Sequence, residues 1–504
     1  MITSLSTVFD AAASDTRTSQ WGGVWMYLPD AVWTVAGEGK QLAARTWKTL
    51  LNDPLLSAIA GCLVRQILGD GLWFRSGYGA STDENRALRK RINAWVAEAA
   101  TGTTLDAGGM LTQPDLDAQL LLSGFFGGNG WAIRTWKPDR PRAPLASCWR
   151  IVDPDRVETP PDRTGDDDVV NGVRYAGGTA VGIYVRRWSP SVAARRAASQ
   201  RGASHDYVPL IGADGLRQVV HWSPRRWRPG SDLGLPALAA SLVLAHQLKE
   251  LFRAHVSGKR IQASHPIVMP VKNPKKAAEE YQKMVEAGQA DADAQVLFVP
   301  EGSGASFSNT SYNGADFEDV VNVYARAITA DIGYPWQFVL LQLSEANLAA
   351  SQTALDQADQ TSAIYQRQWI EQVQRPRDEV TIREGWARGR FGNLPETPDL
   401  YAGTWQRPRR SDANRLRTRQ AAELALRLNV SPSTVFDEMG YDFEAECERL
   451  AEDRGTCTRT GVRFPQDTVV QSQGAGSQPT PTPNDSGNDP APGNQDDEDD
   501  EGDG

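Results

Sequence analysis

The sequence is poor in cysteine, and the cysteines it has are scattered. Cys62, Cys148, Cys447 and Cys457 lie far apart, and no two of them form a CxxC pair. Disulfide frameworks and zinc sites both need cysteines at characteristic spacings. We therefore expect four free thiols in a reducing cytoplasm.

Long apolar runs are also missing. A membrane-spanning helix needs about 20 consecutive apolar residues, and no run of even about 18 occurs in the chain. The N-terminal sequence MITSLSTVFDAAASDTRTSQ lacks the basic region and apolar core of a secretory signal. We therefore expect no membrane partner and no secretion signal.

Motifs for catalysis and metal binding are absent as well. The sequence has no Gly-x-Ser-x-Gly, no phosphate loop and no paired nuclease carboxylates, and its histidines show no metal-ligand spacing. These histidines are His205, His221, His246, His255 and His265. We therefore expect no enzyme activity, no cofactor and no metal. The missing phosphate loop argues most strongly against an ATP-driven motor.

Two short features resemble ligand-binding motifs. The cluster Gly127-Gly128-Asn129-Gly130 follows a predicted helix and precedes a predicted strand. Phosphate loops have the reverse order, because they lead into a helix N-terminus, so a tight turn is the better interpretation. The pairs Asp153/Asp155 and Asp291/Asp293 lie in loops, where neighbouring carboxylates are more often solvated than bound to a metal.

The net charge of −10 belongs to the C-terminus. The stretch from Asp485 to Asp503 holds nine acidic residues and no basic one, so the rest of the chain is close to neutral. The composition beyond about Thr468 cannot bury a core and predicts disorder. Ahead of this tail, helices are predicted at 412–428 and 443–453, with a short one capped at Ser431-Pro432-Ser433.

Helical and strand patterns occur in separate blocks along the 504 residues, which is typical of an α+β protein with several domains. Residues 1–45 show no sustained period and are predicted to form an extended or loosely packed arm. Asp53 and Pro54 then mark a helix start. Further helices are predicted at 83–100 and 114–126.

Strand patterns dominate residues 148–228. Asn171-Gly172 is a strong hairpin signal within this region. Strands are predicted at 182–188 and 219–222. A β-rich block after helices supports the α+β assignment.

A small unit is inserted between two helices. One predicted helix runs from Pro236 to about Gly258, and a second runs from Phe317 to Ile332. The sequence between them, 260–315, has its own pattern: strand-like runs at 267–269 and 296–299 around a helix at 275–287. The pattern alone therefore indicates a domain inserted in a helical hairpin.

The stretch from Gly333 to Pro376 reads as two parts. Tyr334–Leu343 is predicted to be non-helical. Ser344 then caps a helix of roughly 30 residues, about 45 Å long, which is predicted to end at Arg375-Pro376. Its apolar stripe comprises Leu348, Leu355, Ala358, Ser362, Tyr365, Trp369 and Val373.

This stretch resembles the lambda-type phage portal proteins. The matching elements are Gly333 and Pro335, then Ser344-Glu345-Asn347 in a Ser-x-x-Asn pattern, then the long helix. The family usually continues Asn-Tyr-Ser-Ser where this chain has Asn-Leu-Ala-Ala. The resemblance extends over about residues 47–453, and its most specific further part is Arg228-Pro229-Gly230 to Pro236.

The resemblance implies a portal fold of class α+β, with a wing, a two-helix stem, a small α/β clip, a tunnel loop, a long helix and a helical crown. The implied divisions are an N-terminal arm 1–46, wing 47–232, stem helix 233–258, clip 259–315, second stem helix 316–333, tunnel loop 334–346, long wing helix 347–376, remaining wing and crown 377–467, and disordered acidic tail 468–504.

The resemblance also implies a function and partners. Portal proteins form a closed ring, typically of twelve copies, at one capsid vertex. Double-stranded DNA passes through the ring without sequence specificity. The implied partners are the major capsid protein, the terminase large subunit and the head–tail connector. The implied location is the virion, and the host cytoplasm during assembly.

By the same resemblance, the tunnel loop supplies the residues that touch DNA. Its polar side chains are Gln337, Gln342, Ser344, Glu345 and Asn347, with a single charge among them. Weak polar contacts of this kind suit a surface that touches DNA without holding it.

Arginines form two groups, one within 186–228 and one within 407–419. Clustered arginines either contact phosphates or pair with acids across subunit interfaces, and the sequence leaves both open. The members are Arg186, Arg187, Arg195, Arg196, Arg201, Arg225, Arg226, Arg228, Arg407, Arg409, Arg410, Arg415, Arg417 and Arg419.

Two other functions fit parts of the sequence. A structural ring protein of the tail or baseplate would share the size and the lack of motifs, but would not need a domain inserted between two helices. A DNA-processing enzyme with a divergent site would show metal-dependent turnover on DNA.

Overall fold

The computed structural model of the chain shows an α+β protein, as the sequence predicts, and it divides into two units, Met1–Asp412 and Ala413–Gly504. It describes residues 39–79, 83–140, 143–187, 205–226, 232–263, 267–287, 296–301, 314–340, 348–408, 415–439, 441 and 443–460. The predicted disordered tail and most of the predicted arm lie outside these residues.

Four helices open the first unit. They are α1 (Lys40–Leu50), α2 (Pro54–Leu63), α3 (Asp83–Ala99) and α4 (Gln113–Gly127), and α2 continues through a π-helical turn, Val64–Leu68. The predicted start at Asp53 is confirmed, because its carboxylate accepts hydrogen bonds from the Leu55 and Leu56 amides. The prediction of an extended arm through residue 45 is wrong at the C-terminal end of that range. Leu42 and Thr46 lie one turn apart and are buried in α1, a pattern that the Gly- and Ser-rich sequence before it obscures.

Two antiparallel sheets follow the helices. Their strands are β2 (Gly130–Trp136), β3 (Ser147–Val152), β4 (Val169–Val170), β5 (Val173–Ala176), β6 (Thr179–Arg186), β7 (His205–Pro209) and β8 (Val219–Trp222). One sheet has the strand order β3-β2-β8, and the other has the order β4-β5-β6-β7. A separate two-stranded pair consists of β1 (Trp73–Ser76) and β11 (Gly403–Gln406). The predicted hairpin is confirmed: Asn171 and Gly172 both have positive φ, +54° and +81°, as a type I′ turn requires.

Aromatic side chains join the sheets to the helices. Trp222 of β8 is fully buried, packs edge-on against Trp369 at 5.1 Å between ring centroids, and donates its indole N–H to the Leu121 carbonyl. Its ring lies over Gly124, where an added Cβ would overlap it. A glycine at this place in α4 therefore lets the β8 strand approach the helix closely.

A helix pair carries the inserted unit, as predicted. The first helix is α5 (Leu242–Ala263), and the second is α7 (Gly314–Asp331). Between them lie β9 (Ile267–Val271), α6 (Pro274–Glu286) and β10 (Val296–Pro300), with β9 and β10 parallel. Because parallel strands need a crossover connection, α6 forms a β-α-β unit with them.

The first helix of this pair starts and ends later than predicted. Residues 236–241 form turns instead of helix, because the Ala237 amide donates to the Phe125 carbonyl of α4 at 2.7 Å and not to its own segment. At the other end, Gly258 does not stop α5. A single glycine in a helix costs only about 1 kcal/mol, so the helix continues through it.

The stretch after α7 departs from prediction twice. Trp336–Leu340 forms a short helix, α8, where no helix was expected; Pro335 precedes its first residue, a place where proline is tolerated. The long helix α9 (Leu348–Trp369) does not end at Pro376. It widens into a π-helical turn, Ile370–Gln374, and continues as α10 (Arg375–Ala387). A π-turn interrupts the regular hydrogen-bond ladder, so the proline, which lacks an N–H, falls where the ladder is already broken.

The second unit is helical. Its helices are α11 (Arg415–Arg427), α12 (Pro432–Glu438) and α13 (Phe443–Thr460). The Val435 amide donates to the Ser431 carbonyl, as expected for the predicted start at this serine. The last helix is longer than the predicted 443–453 and continues through Gly455, because a single glycine in a helix costs only about 1 kcal/mol.

Candidate functional site

The predicted tunnel loop is described only in part. Gln337 lies in α8 and is half-buried, whereas Gln342, Ser344, Glu345 and Asn347 lie outside the described residues. The structure therefore brings Gln337 next to the turn that joins α7 to α8. The candidate site comprises this turn, α8, and the face of α9 that contacts the turn.

Helix α7 ends in a tight turn at Ile332-Gly333-Tyr334. Gly333 has φ +78°, a conformation that disfavours other residues, and its amide donates to the Ala330 carbonyl at 3.0 Å. The Tyr334 amide donates to the Thr329 carbonyl at 3.3 Å. The helix that was predicted to run to Ile332 thus ends in a left-handed C-terminal turn at Gly333.

Three hydroxyl groups of α9 hold this turn. Thr361 Oγ1 donates to the Gly333 carbonyl at 2.7 Å, Ser362 Oγ lies 3.0 Å from Tyr334 Oη, and Tyr365 Oη donates to the Ile332 carbonyl at 3.4 Å. Tyr334 is only 2% exposed. We call these three residues of α9 the hydroxyl clamp. It fixes the end of α7 against α9 and so sets where the following segment starts.

The clamp works through neutral groups. Burial raises the pKa of the Tyr334 phenol well above its usual value, and burial likewise raises the pKa of Tyr365. Both phenols therefore keep their protons at neutral pH and remain available as hydrogen-bond donors. The sequence prediction placed Ser362 and Tyr365 on an apolar stripe; the signal for a polar role was the hydroxyl on each of them beside Thr361.

Replacing Thr361 by valine should loosen the turn. Val keeps the shape but removes the donor to the Gly333 carbonyl, which costs about 1 kcal/mol for a typical neutral hydrogen bond. We expect amide hydrogen exchange in the peptide covering 328–340 to speed up about fivefold, since local opening is easier by that free energy. Thr361→Ser, which keeps the hydroxyl, is the matched control, and equal exchange in both variants would contradict the clamp.

An ion pair joins the last residue of α7 to the segment that follows β8. Arg225 Nη1 lies 2.8 Å from Asp331 Oδ1, and Ser241 Oγ donates to Asp331 Oδ2 at 2.6 Å. Arg225 also donates to the Ala237 carbonyl. Both charged side chains are largely buried, so the last turn of α7 is held at a defined position relative to the turns before α5.

The short helix α8 is partly buried. Val339 is buried, whereas Leu340 is 37% exposed. The Arg326 guanidinium of α7 lies over the Trp336 ring at 5.2 Å from its centroid, a cation–π contact. α8 is thus attached to α7 at its start, and its exposed end leads toward the residues predicted to contact DNA.

A buried ion pair lies next to the π-turn after α9. Arg377 pairs with Asp117 of α4 through two hydrogen bonds of 2.5 and 3.1 Å, and it donates to Gln374 Oε1 at 2.5 Å. The side chains of Arg377 and Asp117 are 3% and 7% exposed. Gln366, one turn earlier, donates to the carbonyls of Gln66 and Ile67 in the π-turn after α2. Gln366 thus satisfies backbone carbonyls of the π-turn after α2, whereas the π-turn after α9 is held by contacts between side chains.

Asp378 has a buried carboxyl group next to this ion pair. Trp405 Nε1 donates to its Oδ2 at 2.7 Å, and the Arg375 guanidinium lies over the Trp405 ring at 4.8 Å. Burial raises the Asp378 pKa to about 6, although Arg377 and the bond from Trp405 oppose this shift. The carboxyl therefore changes protonation in a mildly acidic range.

Several predicted arginines pair within the chain. Arg186 pairs with Glu158, Arg187 Nε lies 2.7 Å from Asp206 Oδ1, and Arg225 pairs with Asp331. Of the others, Arg195, Arg196, Arg201, Arg228, Arg409 and Arg410 lie outside the described residues. In-chain ion pairing was neither of the two predicted roles, and it occupies three of the candidate arginines.

The glycine cluster and the described aspartate pair form ordinary local structure. Gly127–Gly130 forms the turn from α4 into β2, as predicted, with Gly128 at φ +80°. Asp153 accepts a hydrogen bond from the Asp155 amide and so caps a short 3₁₀ turn, while Asp291 and Asp293 lie outside the described residues. Within the described ranges, no group of three or more His, Cys, Asp or Glu side chains is placed to hold a metal.

None of the helices described here is both long enough and apolar enough to cross a membrane.

A family model described as "Phage portal protein, lambda family" matches residues 17–366. This range includes α1 through α8, both sheets, the inserted unit and most of α9 with the hydroxyl clamp. A search of curated proteins finds no significant match.

Among solved structures, the chain is similar to proteins of gene transfer agent particles. One is from the neck of an empty particle computed with C6 symmetry: 14% identity, TM-score 0.38, 86% of this chain and 99% of the other covered. A second, from the neck of a native particle computed with C12 symmetry, has 15% identity, TM-score 0.33, and coverage of 73% and 96%. A third, from the native virion, has 14% identity, TM-score 0.32, and coverage of 73% and 96%.

Proposed function

Because the chain belongs to the lambda family of phage portal proteins, we propose that it forms a ring of twelve copies at one capsid vertex. Double-stranded DNA passes through the central channel during packaging and again during ejection. The ring is an assembly of this chain that acts without cofactor and without catalysis. Family membership favours this role over the tail or baseplate protein and over the DNA-processing enzyme.

The observation that carries the proposal is the path of the chain between α5 and α9. The helix pair α5/α7 leaves the body, carries the β9-α6-β10 unit, and returns to a turn that the hydroxyl clamp holds. The family match runs through all of these elements. They suit a subunit with a projecting stem (α5 and α7) and clip (β9-α6-β10), and with a loop placed at a fixed point on the channel wall.

The channel contact is proposed to come from Gln337, Gln342, Ser344, Glu345 and Asn347. Proteins that neutralise many phosphates with Lys or Arg release counterions and bind DNA tightly. A channel through which DNA slides needs the opposite, and this set has no basic residue. Its contacts with the DNA backbone are therefore weak and independent of base sequence.

The proposed partners follow from the two ends of the ring. The clip would dock the terminase large subunit during packaging, in the host cytoplasm, and later the head–tail connector. The wing would contact the major capsid protein at the vertex. In the finished virion the ring remains at that vertex.

A packaging assay with altered loop charge tests this function. Gln342→Lys adds one positive charge per subunit, hence a ring of cations facing the DNA, and should slow packaging while leaving ring assembly unchanged. The slowing should lessen as salt is raised, since counterion release weakens with salt. Gln342→Asn is the control and should package at the normal rate. Equal rates for both variants at every salt concentration would contradict a DNA contact at this loop.

A further inference from the structure

A cavity of about 230 Å³ lies between β1, α3 and the start of α10. Most of its wall is apolar, and Leu72, Phe74 and Leu105 in that wall are buried. It is partly open to solvent beside the ring of Trp73, which is 46% exposed. We call this space the β1 cavity. Its described lining residues include none from α7, α8 or α9, so it is separate from the hydroxyl clamp.

One side chain in this wall brings a buried carboxylate to the cavity. Asp378 lines the cavity and is 7% exposed. Its Oδ2 accepts the hydrogen bond from Trp405 Nε1 at 2.7 Å, whereas no described residue donates to its Oδ1. Buried charged groups are stable when their polar atoms are hydrogen-bonded and their charge is paired. Oδ1 is therefore left as an acceptor for a molecule that enters the cavity.

The buried charges around Asp378 leave an excess of negative charge. Arg377 is bound to Asp117 by two hydrogen bonds, so the three buried side chains carry one positive and two negative charges. Burial raises the pKa of Asp378 most, and Asp117 and Glu379 raise it further, although Arg377 opposes them. A further cation next to Asp378 would offset this excess.

The other nearby cations are engaged elsewhere. Arg75 is the one basic residue among the described residues that line the cavity, and its Nη2 donates to Gln406 Oε1 at 3.1 Å instead of to Asp378. Arg375 pairs with Glu371 at 2.9 Å. The residues of α3 that line the cavity are uncharged. Because the chain itself supplies no cation to Oδ1, the cation has to come from a ligand.

The size and the apolar wall of the cavity favour a small organic ligand. A cavity of about 150 Å³ holds benzene, which has six heavy atoms, so the β1 cavity has room for roughly nine. A magnesium ion is a poorer match, since it keeps several of its waters and an apolar wall offers them no hydrogen bonds.

We propose that the β1 cavity binds a small organic ammonium ion. The ammonium group donates to Asp378 Oδ1, and the hydrocarbon part packs against Leu72, Phe74 and Leu105. Hydrogen bonds between two charged groups are about twice as strong as neutral ones. Gln113 also lines the cavity and has an amide oxygen that can accept a second hydrogen bond from the ammonium group. This inference does not depend on the proposed ring.

Calorimetric titration of the full-length protein with benzylamine tests the site. Benzyl alcohol has the same shape without the charge and is the matched control ligand. At pH 7.5 benzylamine should bind about tenfold more tightly than benzyl alcohol, because only its hydrogen bond to Asp378 joins two charged groups.

Binding of benzylamine should also follow the ionisation of Asp378. With a pKa of about 6, only about one tenth of this carboxyl is ionised at pH 5. Benzylamine should therefore bind about tenfold more weakly at pH 5 than at pH 7.5, whereas binding of benzyl alcohol should change little.

Two variants assign the effect to Asp378. Asp378→Asn removes the charge and should bind benzylamine no more tightly than benzyl alcohol, with little dependence on pH. Asp162→Asn, the same change at an exposed aspartate, should bind both ligands like the natural sequence. Urea unfolding of each variant confirms that it is folded.

Three outcomes would overturn the inference. The first is no binding of benzylamine to the natural sequence. The second is equal affinity for benzylamine and benzyl alcohol at pH 7.5. The third is equal affinity of the natural sequence and Asp378→Asn for benzylamine.

Discussion

Arg377→Met should lower the free energy of unfolding of the first unit by about 3–5 kcal/mol. The substitution leaves the Asp117 carboxylate buried without its partner, and breaking one half of a buried ion pair costs this much. Urea unfolding followed by tryptophan fluorescence measures the change, because Trp222 and Trp369 lie in the same core. All variants should be compared at one protein concentration, since assembly adds to apparent stability.

Two further variants distinguish the effect of breaking the buried ion pair on stability from the effect of losing a positive charge. Lys276→Met removes an exposed side chain from a 3.9 Å pair with Glu280 and should change stability by less than about 0.5 kcal/mol. Asp117→Asn combined with Arg377→Met should recover part of the loss, because no unpaired charge then remains. A double variant that is no more stable than Arg377→Met alone would contradict the assignment.

Asp378→Asn should raise stability at neutral pH relative to the natural sequence, and the gain should vanish in acid. The folded pKa of Asp378, about 6, lies above the usual value of 3.8, so the folded chain binds this proton more tightly than the unfolded chain. The contribution of this group to the free energy of unfolding therefore falls as pH rises from about 4 to 6 and stays low above that. The difference between these two pKa values corresponds to about 3 kcal/mol.

The measurement is the stability difference between Asp378→Asn and the natural sequence at pH 4 and at pH 7.5. Constant effects of the substitution cancel when the two pH values are compared, and we expect the difference to grow by about 2–3 kcal/mol at the higher pH. Trp405→Phe removes the donor that favours the charged carboxylate, so it should steepen the decline of stability with pH. A difference that does not change with pH would contradict the raised pKa.

Local signals in the sequence were sufficient for much of the fold. The Asp53-Pro54 start, the Asn171-Gly172 hairpin and the inserted β-α-β unit each depend on neighbouring residues, and the structure confirms all three. The left-handed turn at Gly333 follows from its own conformational freedom in the same way. These features need no knowledge of distant parts of the chain.

Features that depend on distant partners could not be predicted. The π-turn that carries the long helix past Pro376 is stabilised from α4 by Asp117, far away in sequence. The hydroxyl clamp needs the return of α7 to α9 before Thr361 has anything to bond. At the candidate site the sequence indicated which residues are polar, whereas the structure showed what holds Gln337 in position.

Imaging of the purified full-length protein tests the central claim most directly. Electron microscopy of single particles should show closed rings of twelve subunits with a central channel wide enough for duplex DNA, and sedimentation should give the matching mass. A compact monomer or dimer that cleaves or modifies duplex DNA in the presence of magnesium would contradict the portal assignment.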